Sequence, residues 1–279
     1  MKKFSAFILA LALWGGNGVY AHDAATAQYI ANEGVLVKQG ETKVLFDPFY
    51  GTGFGTYAEI PPTTHAAMMA GEAPFDGIDA VFVSHAHPDH FSALDMIAFM
   101  KAHEDVRLIA PSQAVDMMKA DENWQADLLF RIDVLDMAYG DSPKDVSVGA
   151  VRATATRIPH AGWPDPRRAA IQNMVYRVTL GGDDAGGAGE NTATVMHMGD
   201  ADVNDAHYAP FEEHWQARVT DTGFPPYWFL LSEEGKTILK DRLNIDHAVG
   251  VHVPIQIPAD LIASGEDYFS TSGERRPIE

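Results

Sequence analysis

The 279-residue sequence contains no cysteine. This absence excludes disulfide bonds, thiolate ligands to a metal, a cysteine nucleophile and a lipid-modified N-terminal cysteine. A Gly-x-Ser-x-Gly nucleophile elbow is absent as well. Both absences favour chemistry in which water, rather than a side chain, is the nucleophile.

Basic residues are also scarce. The chain has 20 Lys and Arg against 39 Asp and Glu, a formal charge of −19, and removing Lys2 and Lys3 leaves −19 − 2 = −21. A surface with this much negative charge repels nucleic acid and anionic membranes, and it helps to keep the protein in solution. We therefore expect a small-molecule substrate and no nucleic-acid partner. Nothing in the sequence indicates an oligomeric state.

Long hydrophobic runs are missing too. The most apolar stretch near the N-terminus, Phe4–Trp14, follows two lysines and is too short to span a bilayer well. A basic start, an apolar run and then Val19-Tyr20-Ala21 are typical of a cleavable signal peptide. We predict a signal peptide at residues 1–21, export to the periplasm or secretion, and no stable membrane anchor. An uncleaved anchor is the alternative.

The segment His85-Ala86-His87-Pro88-Asp89-His90 places three histidines and one aspartate within six residues. It follows residues 79–83, which are apolar and β-branched enough to predict a buried strand. Neutral imidazole and carboxylate suit zinc and similar divalent ions, and alternate positions in a loop can reach two different metals. The segment therefore indicates a metal site, with a solvated polar loop as the alternative.

Three more residues of ligand type lie at or near the ends of predicted strands, namely His160, Asp200 and His252. Loops at strand ends are where a rigid scaffold presents functional side chains. One rim of a sheet sandwich would gather all three. We therefore add them to the candidate ligand set.

The order of these motifs resembles that of the metallo-β-lactamase superfamily: a His-x-His-x-Asp-His loop, a later His, a Gly-Asp pair and a final His, over roughly residues 28–255. The resemblance implies an α/β fold, the four-layer αβ/βα sandwich of that superfamily, with a binuclear site between the sheets. The implied cofactors are two divalent ions, preferably Zn²⁺, with Mn²⁺ or Fe²⁺ as alternatives. The implied ligands are His85, His87 and His160 for one metal, Asp89, His90 and His252 for the other, and Asp200 as the bridge.

The segments at residues 29–34 and 45–48 most resemble the lactonase and phosphodiesterase-like branches of the superfamily. The resemblance implies hydrolysis of an ester, lactone or phosphodiester by a metal-bound hydroxide, which Asp89 would orient as the catalytic residue. True β-lactamases of the superfamily generally lack the bridging aspartate, so Asp200 disfavours that activity. An iron-dependent oxidoreductase of the same superfamily is another alternative. Members of that branch usually carry an acidic residue where this chain has His87, which disfavours this alternative. A non-catalytic periplasmic protein that binds a metal or ligand is a further alternative.

Four residues are candidates for substrate contact. Trp163, Arg167 and Arg168 follow the candidate ligand at 160 in a proline-containing loop, and arginine binds carboxylate and phosphate well. His65 lies in a long predicted loop, residues 49–74, that could approach the site. The alternatives are a surface position for each residue and pairing of the arginines with Asp165.

The remaining histidines are assigned mainly to the scaffold. We expect His103, His207 and His214 at the surface, and His197, within a predicted strand, as a hydrogen-bonded core residue. His22 would begin the chain after cleavage, which raises a copper histidine brace, but no second dedicated histidine pair remains to complete one.

Strands with helices spaced among them predict one α/β domain, residues 22–279. The apolar patterns predict strands at 28–37, 43–47, 79–83, 106–110, 131–135, 146–156, 171–180, 192–198, 228–231 and 248–253, and helices at 92–103, 111–120 and 232–243.

Overall fold

A computed structural model describes residues 24–182 and 192–278. The predicted signal peptide at 1–21 and His22 lie outside the described residues, and so does most of the Gly- and Asp-rich loop predicted at 181–189. Within the described residues, no helix has both the length and the apolar character needed to cross a membrane.

The first sheet has seven strands in the order β13-β1-β2-β3-β4-β5-β6, and its strands β3 to β6 run parallel to one another. The parallel arrangement brings the carboxyl ends of β3 and β4 to the same edge. These strands are β1 (Thr26–Ala31), β2 (Gly34–Gln39), β3 (Thr42–Phe46), β4 (Ala80–Phe82), β5 (Arg107–Pro111), β6 (Ile132–Leu135) and β13 (Arg275–Pro277).

The second sheet has six strands in the order β12-β11-β10-β9-β8-β7. Strands β10, β11 and β12 are parallel, whereas β7 to β10 are antiparallel neighbours. These strands are β7 (Lys144–Val148), β8 (Val151–Arg157), β9 (Met174–Gly181), β10 (Thr192–His197), β11 (Thr220–Phe224) and β12 (Ile245–Ala248).

Helices cover the outer face of each sheet. The α-helices are α1 (Pro62–Ala70), α2 (Ala93–Ala102), α3 (Ser112–Ala120), α4 (Pro166–Ala169), α5 (Glu212–Gln216), α6 (Glu233–Thr237) and α7 (Ala259–Ser264). Helix α2 begins where predicted, because the hydroxyl of Ser92 accepts a hydrogen bond from the amide of Asp95. Short 3-10 helices span Ala126–Arg131, Asp205–His207, Ala209–Phe211 and Tyr227–Leu231, and a π-helical turn spans Ile238–Arg242.

Three apolar clusters hold these layers together. The central one joins the inner faces of the two sheets through residues such as Phe46, Phe82 and Tyr176. The second packs the first sheet on α1 to α3, and the third packs the second sheet on the C-terminal helices. Each sheet therefore buries one face on the other sheet and one on helices, which confirms the predicted four-layer αβ/βα sandwich.

Several predicted elements differ from the structure at turns. The strand predicted at 28–37 is two strands, because Asn32 takes a left-handed conformation (φ 51°) and turns the chain. The strand predicted at 146–156 is a hairpin that turns at Gly149 (φ 52°). Short polar turns inside apolar runs leave the alternation of the flanking strands intact, so the pattern alone does not reveal them.

Other differences concern the type or position of an element. Residues 228–231 form part of a 3-10 helix instead of a strand, since a short apolar run fits either structure. In place of the strand predicted at 248–253, the structure has β12 at Ile245–Ala248, which shares only residue 248 with the prediction. The long loop predicted at 49–74 contains α1, whose proline-led first turn gives little apolar periodicity. The helix predicted at 232–243 changes from α-helix to a π-helical turn at Ile238.

Candidate metal centre

The loop at 85–90 follows β4. Asp47, which directly follows the neighbouring parallel strand β3, holds the start of this loop by hydrogen bonds to Ser84. Oδ1 of Asp47 accepts from the amide of Ser84 (2.7 Å), and Oδ2 accepts from the Ser84 hydroxyl (2.5 Å). The carbonyl of Ser84 accepts from the amide of Met174 at the start of β9 (2.9 Å). Hydrogen bonds of Ser84 therefore connect the start of the loop to a strand of each sheet.

The structure brings His85, His87, His160 and Asp200 together, with one potential ligand atom of each within 4.8 Å of the others. Nδ1 of His87 is 3.0 Å from Nε2 of His85 and 3.2 Å from Nε2 of His160. Oδ2 of Asp200 is 3.1 Å from Nε2 of His160. These four atoms face one common point.

Asp89, His90 and His252 form a second group with the same 4.8 Å limit. The Nε2 atoms of His90 and His252 are 3.2 Å apart, and Oδ2 of Asp89 is 3.7 Å from each. Oδ1 of Asp200 is 2.9 Å from Nε2 of His252 and 3.4 Å from that of His90. The carboxylate of Asp200 thus presents one oxygen to each group.

The outward ring nitrogens of three histidines have partners that direct the inward nitrogen to the centre. Nδ1 of His90 lies 3.0 Å from Oδ2 of Asp47, and Nδ1 of His160 lies 2.8 Å from the carbonyl of Ala161. Nδ1 of His85 is 3.0 Å from the hydroxyl oxygen of Ser84. A proton on each Nδ1 leaves the lone pair of Nε2 free to bind a metal.

The titration of the histidines also suits metal binding. Burial lowers the pKa of His85 well below its ordinary value, and burial together with His160 lowers the pKa of His87 to about 4. Both rings are therefore neutral at neutral pH. For His90, burial lowers the pKa, but Asp200, Asp47 and Glu33 outweigh it and raise the pKa to about 10. A cation at Nε2 of His90 would take the place of that proton.

These residues fit divalent metals by their spacing as well as their type. Two nitrogens bound to one tetrahedral zinc at 2.0–2.1 Å lie about 3.3 Å apart. The nitrogen pairs His85–His87, His87–His160 and His90–His252 are 3.0, 3.2 and 3.2 Å apart. Oδ1 of Asp200 is buried, and its close neighbours are Nε2 of His252 and Nε2 of His90, at 2.9 and 3.4 Å. Imidazole nitrogens and a carboxylate oxygen gathered in this way are the ligand atoms that divalent cations such as zinc bind.

Backbone conformation places two of these ligands. Gly199 has φ 51°, and a Cβ there would lie 2.4 Å from Oδ1 of Asn173 and 2.6 Å from Cβ of Ser84, so only glycine fits before Asp200. The same Oδ1 of Asn173 accepts from the amide of Asp200 (3.0 Å). His252 has φ 57°, a conformation rare outside glycine, and its amide donates to the carbonyl of Asn32 (3.0 Å).

The sequence patterns assign no role to Asp47, Glu33 or Asn173. Asp47 and Glu33 lie beside Nδ1 of His90, and Asn173 accepts from the amide of Asp200. Burial raises the pKa of Glu33 well above its ordinary value, against the pull of His90. Its carboxylate is 3.7 Å from Nδ1 of His90 and from Nε2 of His197. His197 is a buried core residue whose Nε2 donates to the carbonyl of Glu33 (2.9 Å), as expected.

The four candidates for substrate contact lie in different settings. Trp163 packs against Tyr139 and His207. Arg167 is 89 % exposed and paired with Asp165, and the side chain of Arg168 lies against Gly162. His65 lies on α1, where Nε2 is 3.6 Å from a carboxylate oxygen of Asp95 and the ring contacts Phe49. Two other aromatic rings, of Tyr57 and Trp228, contact His252 directly.

Three histidines predicted at the surface are not freely exposed. His207 is 4 % exposed, and its Nδ1 is 2.9 Å from the hydroxyl of Tyr139. His103 packs on Phe99, with Nε2 3.1 Å from the carbonyl of Met69, and His214 packs on Trp215. The contacts of His207 with Tyr139 and of His103 with Met69 come from distant segments, which local polarity does not reveal.

Removal of metal is expected to lower the melting temperature by roughly 10 °C. The ligand set joins the segments after β4, β8, β10 and β12, and ligands that bind only the folded state stabilise it by mass action. Calorimetry before and after chelation measures the shift, and reloading with zinc should restore the original value. An unchanged melting temperature after confirmed metal loss would show that the site is thermodynamically separate from the scaffold.

Comparisons with known proteins agree with this fold. A family model described as "Beta-lactamase superfamily domain" matches residues 42–224. A search of the curated proteins found no match. A possible metal-dependent hydrolase from Veillonella parvula DSM 2008 superposes with a TM-score of 0.59 at 14 % identity, covering 91 % of this chain and 100 % of that one.

Two further solved structures are similar. Igni18, a metallo hydrolase from Ignicoccus hospitalis KIN4/I, has a TM-score of 0.57 at 13 % identity, covering 92 % of this chain and 99 % of its own. The isothiocyanate hydrolase from Delia radicum gut bacteria has a TM-score of 0.56 at 14 % identity, covering 90 % and 98 %. At these identities the likeness concerns the fold. By the family model and the fold together, the chain belongs to the metallo-β-lactamase superfamily of metal-dependent hydrolases.

Proposed function

We propose that the protein is a binuclear hydrolase that cleaves an ester, lactone or phosphodiester. The observation that carries the proposal is the position of Asp200, whose two oxygens lie 3.1 Å from Nε2 of His160 and 2.9 Å from Nε2 of His252. A carboxylate that faces two groups of histidines can serve both at once. We propose zinc as the metal, since neutral imidazole and carboxylate suit it, with manganese or iron as alternatives.

In this proposal His85, His87 and His160 hold one ion, and Asp89, His90 and His252 hold the other. Two bound divalent cations would lower the pKa of water and so supply hydroxide at neutral pH. Asp89 would accept a hydrogen bond from this hydroxide and orient it toward the carbonyl carbon or the phosphorus. Asp47 keeps the proton of His90 on Nδ1, so that Nε2 stays directed inward.

The test is a substrate panel with the protein of residues 22–279, loaded with zinc or manganese. The panel contains p-nitrophenyl esters, γ- and δ-lactones, bis(p-nitrophenyl) phosphate, a cephalosporin and an isothiocyanate, the last because of the name of one structural neighbour. We expect hydrolysis in one of the first three classes, lost on chelation and restored by metal. Efficient cephalosporin turnover alone, or metal binding with no turnover of any class, would overturn the proposal.

We also propose that the protein acts outside the cytoplasm, as one domain of residues 22–279 released from a signal peptide at 1–21. The basic start, the apolar run and the small residue at position 21 support this proposal. N-terminal sequencing of protein recovered from the periplasm or medium should begin near His22. Recovery only from the cytoplasm, with Met1 retained, would contradict it.

A further inference from the structure

A cavity of about 430 Å³ lies beside the metal centre, on the side of His87. Its apolar wall consists of Ala86 from the ligand loop, Met117 and Ala120 from α3, and Ile171. We call this cavity the His87 pocket. Its volume lies within the range typical of small-molecule sites.

Helix α3 presents more apolar surface than its packing on the sheet uses. Ala114, Val115 and Met118 are fully buried in the core. Met117, on the same helix, is 41 % exposed and lines the pocket. The scaffold therefore does not need a methionine at this position, and the side chain is free to contact a ligand.

The polar residues of the lining already have partners elsewhere. The side chain of Gln113 donates to the carbonyl of Ala170 (2.8 Å) and accepts from the amide of Gln172 (3.0 Å), which fixes α3 against residues 170–172. The carboxylate of Asp116 is 3.1 Å from Nζ of Lys119 and 71 % exposed. Within the described part of the chain, no Lys or Arg lines the pocket. A phosphate or carboxylate group would find no cation there, whereas an apolar group would find a preformed wall.

The ring of His87 separates the pocket from the metal centre. Its Nδ1 faces Nε2 of His85 and Nε2 of His160, at 3.0 and 3.2 Å. Because Nδ1 is directed to the ligand group, the opposite edge of the ring is the edge that can line the pocket. His87 is thus shared by the pocket and the ligand group, so a group seated in the pocket lies one imidazole ring away from the candidate metal centre.

We propose that the His87 pocket binds an apolar acyl or alkyl group of the substrate, so that the enzyme prefers longer alkyl substituents to a methyl group. This inference rests on the proposed hydrolytic function for its consequence in turnover, but the binding preference itself does not require turnover. Burial of one CH₂ group changes an equilibrium constant about fourfold. A chain that reaches partly into the pocket should therefore strengthen binding at least about tenfold.

The first test measures binding without hydrolysis. Octylphosphonate and methylphosphonate, which carry the same head group and no hydrolysable ester, are titrated calorimetrically into the zinc-loaded protein. We expect octylphosphonate to bind at least about tenfold more tightly. Equal affinities would overturn the proposal. Because the readout is binding, it remains valid even if the substrate panel shows no hydrolysis, an outcome that would count against the proposed function alone.

The second test locates the preference with matched variants. Ala120 is the exposed last residue of α3, and Ala102 is the exposed last residue of α2, outside the pocket lining. Ala120→Phe should fill the pocket and reduce the octyl-over-methyl ratio to near one, whereas Ala102→Phe should keep the wild-type ratio. Met117→Gln, which introduces no bulk, should lower the ratio about threefold or more.

Hydrolysis provides the corresponding kinetic readout. For the wild type, kcat/KM should rise from p-nitrophenyl acetate through butyrate and hexanoate to octanoate, and the same trend should appear with alkyl side chains on lactones or phosphodiesters. In Ala120→Phe the trend should flatten. A chain-length preference that survives in both Ala120→Phe and Met117→Gln, with unchanged melting temperatures, would place the apolar group elsewhere and overturn the proposal.

Discussion

Asp200→Ala is expected to weaken the binding of both metal ions and to reduce kcat/KM to the detection limit. The two oxygens of this carboxylate lie against His160 and His252, one from each ligand group. Loss of an outer-shell partner of a metal ligand already costs roughly 10–100-fold in affinity, so loss of a residue that serves both groups should cost more. Competition with a chromophoric zinc chelator gives the affinity at each site.

A neighbouring carboxylate provides the control. Asp202 lies two residues further along, and its side chain accepts from the amide of Gly162 (3.0 Å) outside the two ligand groups. Asp202→Ala should keep both metals at wild-type affinity. If Asp200→Ala binds one ion normally and loses only the other, the bridging role is wrong. If it binds both normally, Asp200 is not a ligand.

Asp89→Asn is expected to separate turnover from metal binding. The side chain of Asp89 is 3.7 Å from Nε2 of His90 and of His252, at the edge of the second group, so the first group stays complete in the variant. Asparagine keeps the shape but removes the negative charge that would accept the hydrogen bond from the attacking hydroxide and orient it. We expect kcat to fall about 10²–10⁴-fold, with KM changed much less, because the lost interaction is strongest in the transition state.

The measurement pairs steady-state kinetics with elemental analysis of the same sample. At least one ion per chain should remain in Asp89→Asn, and Asp202→Asn should retain both ions and wild-type turnover. Full activity in Asp89→Asn would refute the assigned role. Loss of both ions would show instead that Asp89 acts through the integrity of the whole centre.

The loop at 85–90 could be predicted from the sequence because its ligands are contiguous and follow an apolar strand. His160, Asp200 and His252 are distant in sequence, but each lies near the end of a segment with strand character. A sandwich gathers such ends at one rim, so their order along the chain was sufficient to predict their proximity. The four-layer sandwich was implied by the resemblance of this order to that of the metallo-β-lactamase superfamily.

The supporting residues were harder to predict for a physical reason. Asp47 ends β3, and the parallel pairing of β3 with β4 places it below the loop, a pairing that is not visible in the local pattern. Glu33 lies in a turn that divides a predicted continuous strand, so the local pattern predicts an ordinary strand position for it. Polar residues whose role depends on a neighbouring strand need the sheet order before they can be assigned.

The exposed apolar wall of the His87 pocket cannot be predicted from the sequence for a different reason, which concerns the orientation of a helix. Methionine at helical spacing is usually a core residue, and Met118 is one. Only the orientation of α3 on the sheet shows that Met117 faces outward beside the metal centre. Periodicity identifies an apolar face of a helix but not what that face contacts.

The most direct test of the binuclear centre is the metal content of the wild-type protein. Inductively coupled plasma mass spectrometry is applied to residues 22–279, purified without chelator and reconstituted with zinc or manganese, then freed of unbound metal. Six ligand-type side chains in two groups, with Asp200 facing both, predict two ions per chain. A content near one would reduce the centre to a mononuclear site, and a content near zero after reconstitution would contradict the account.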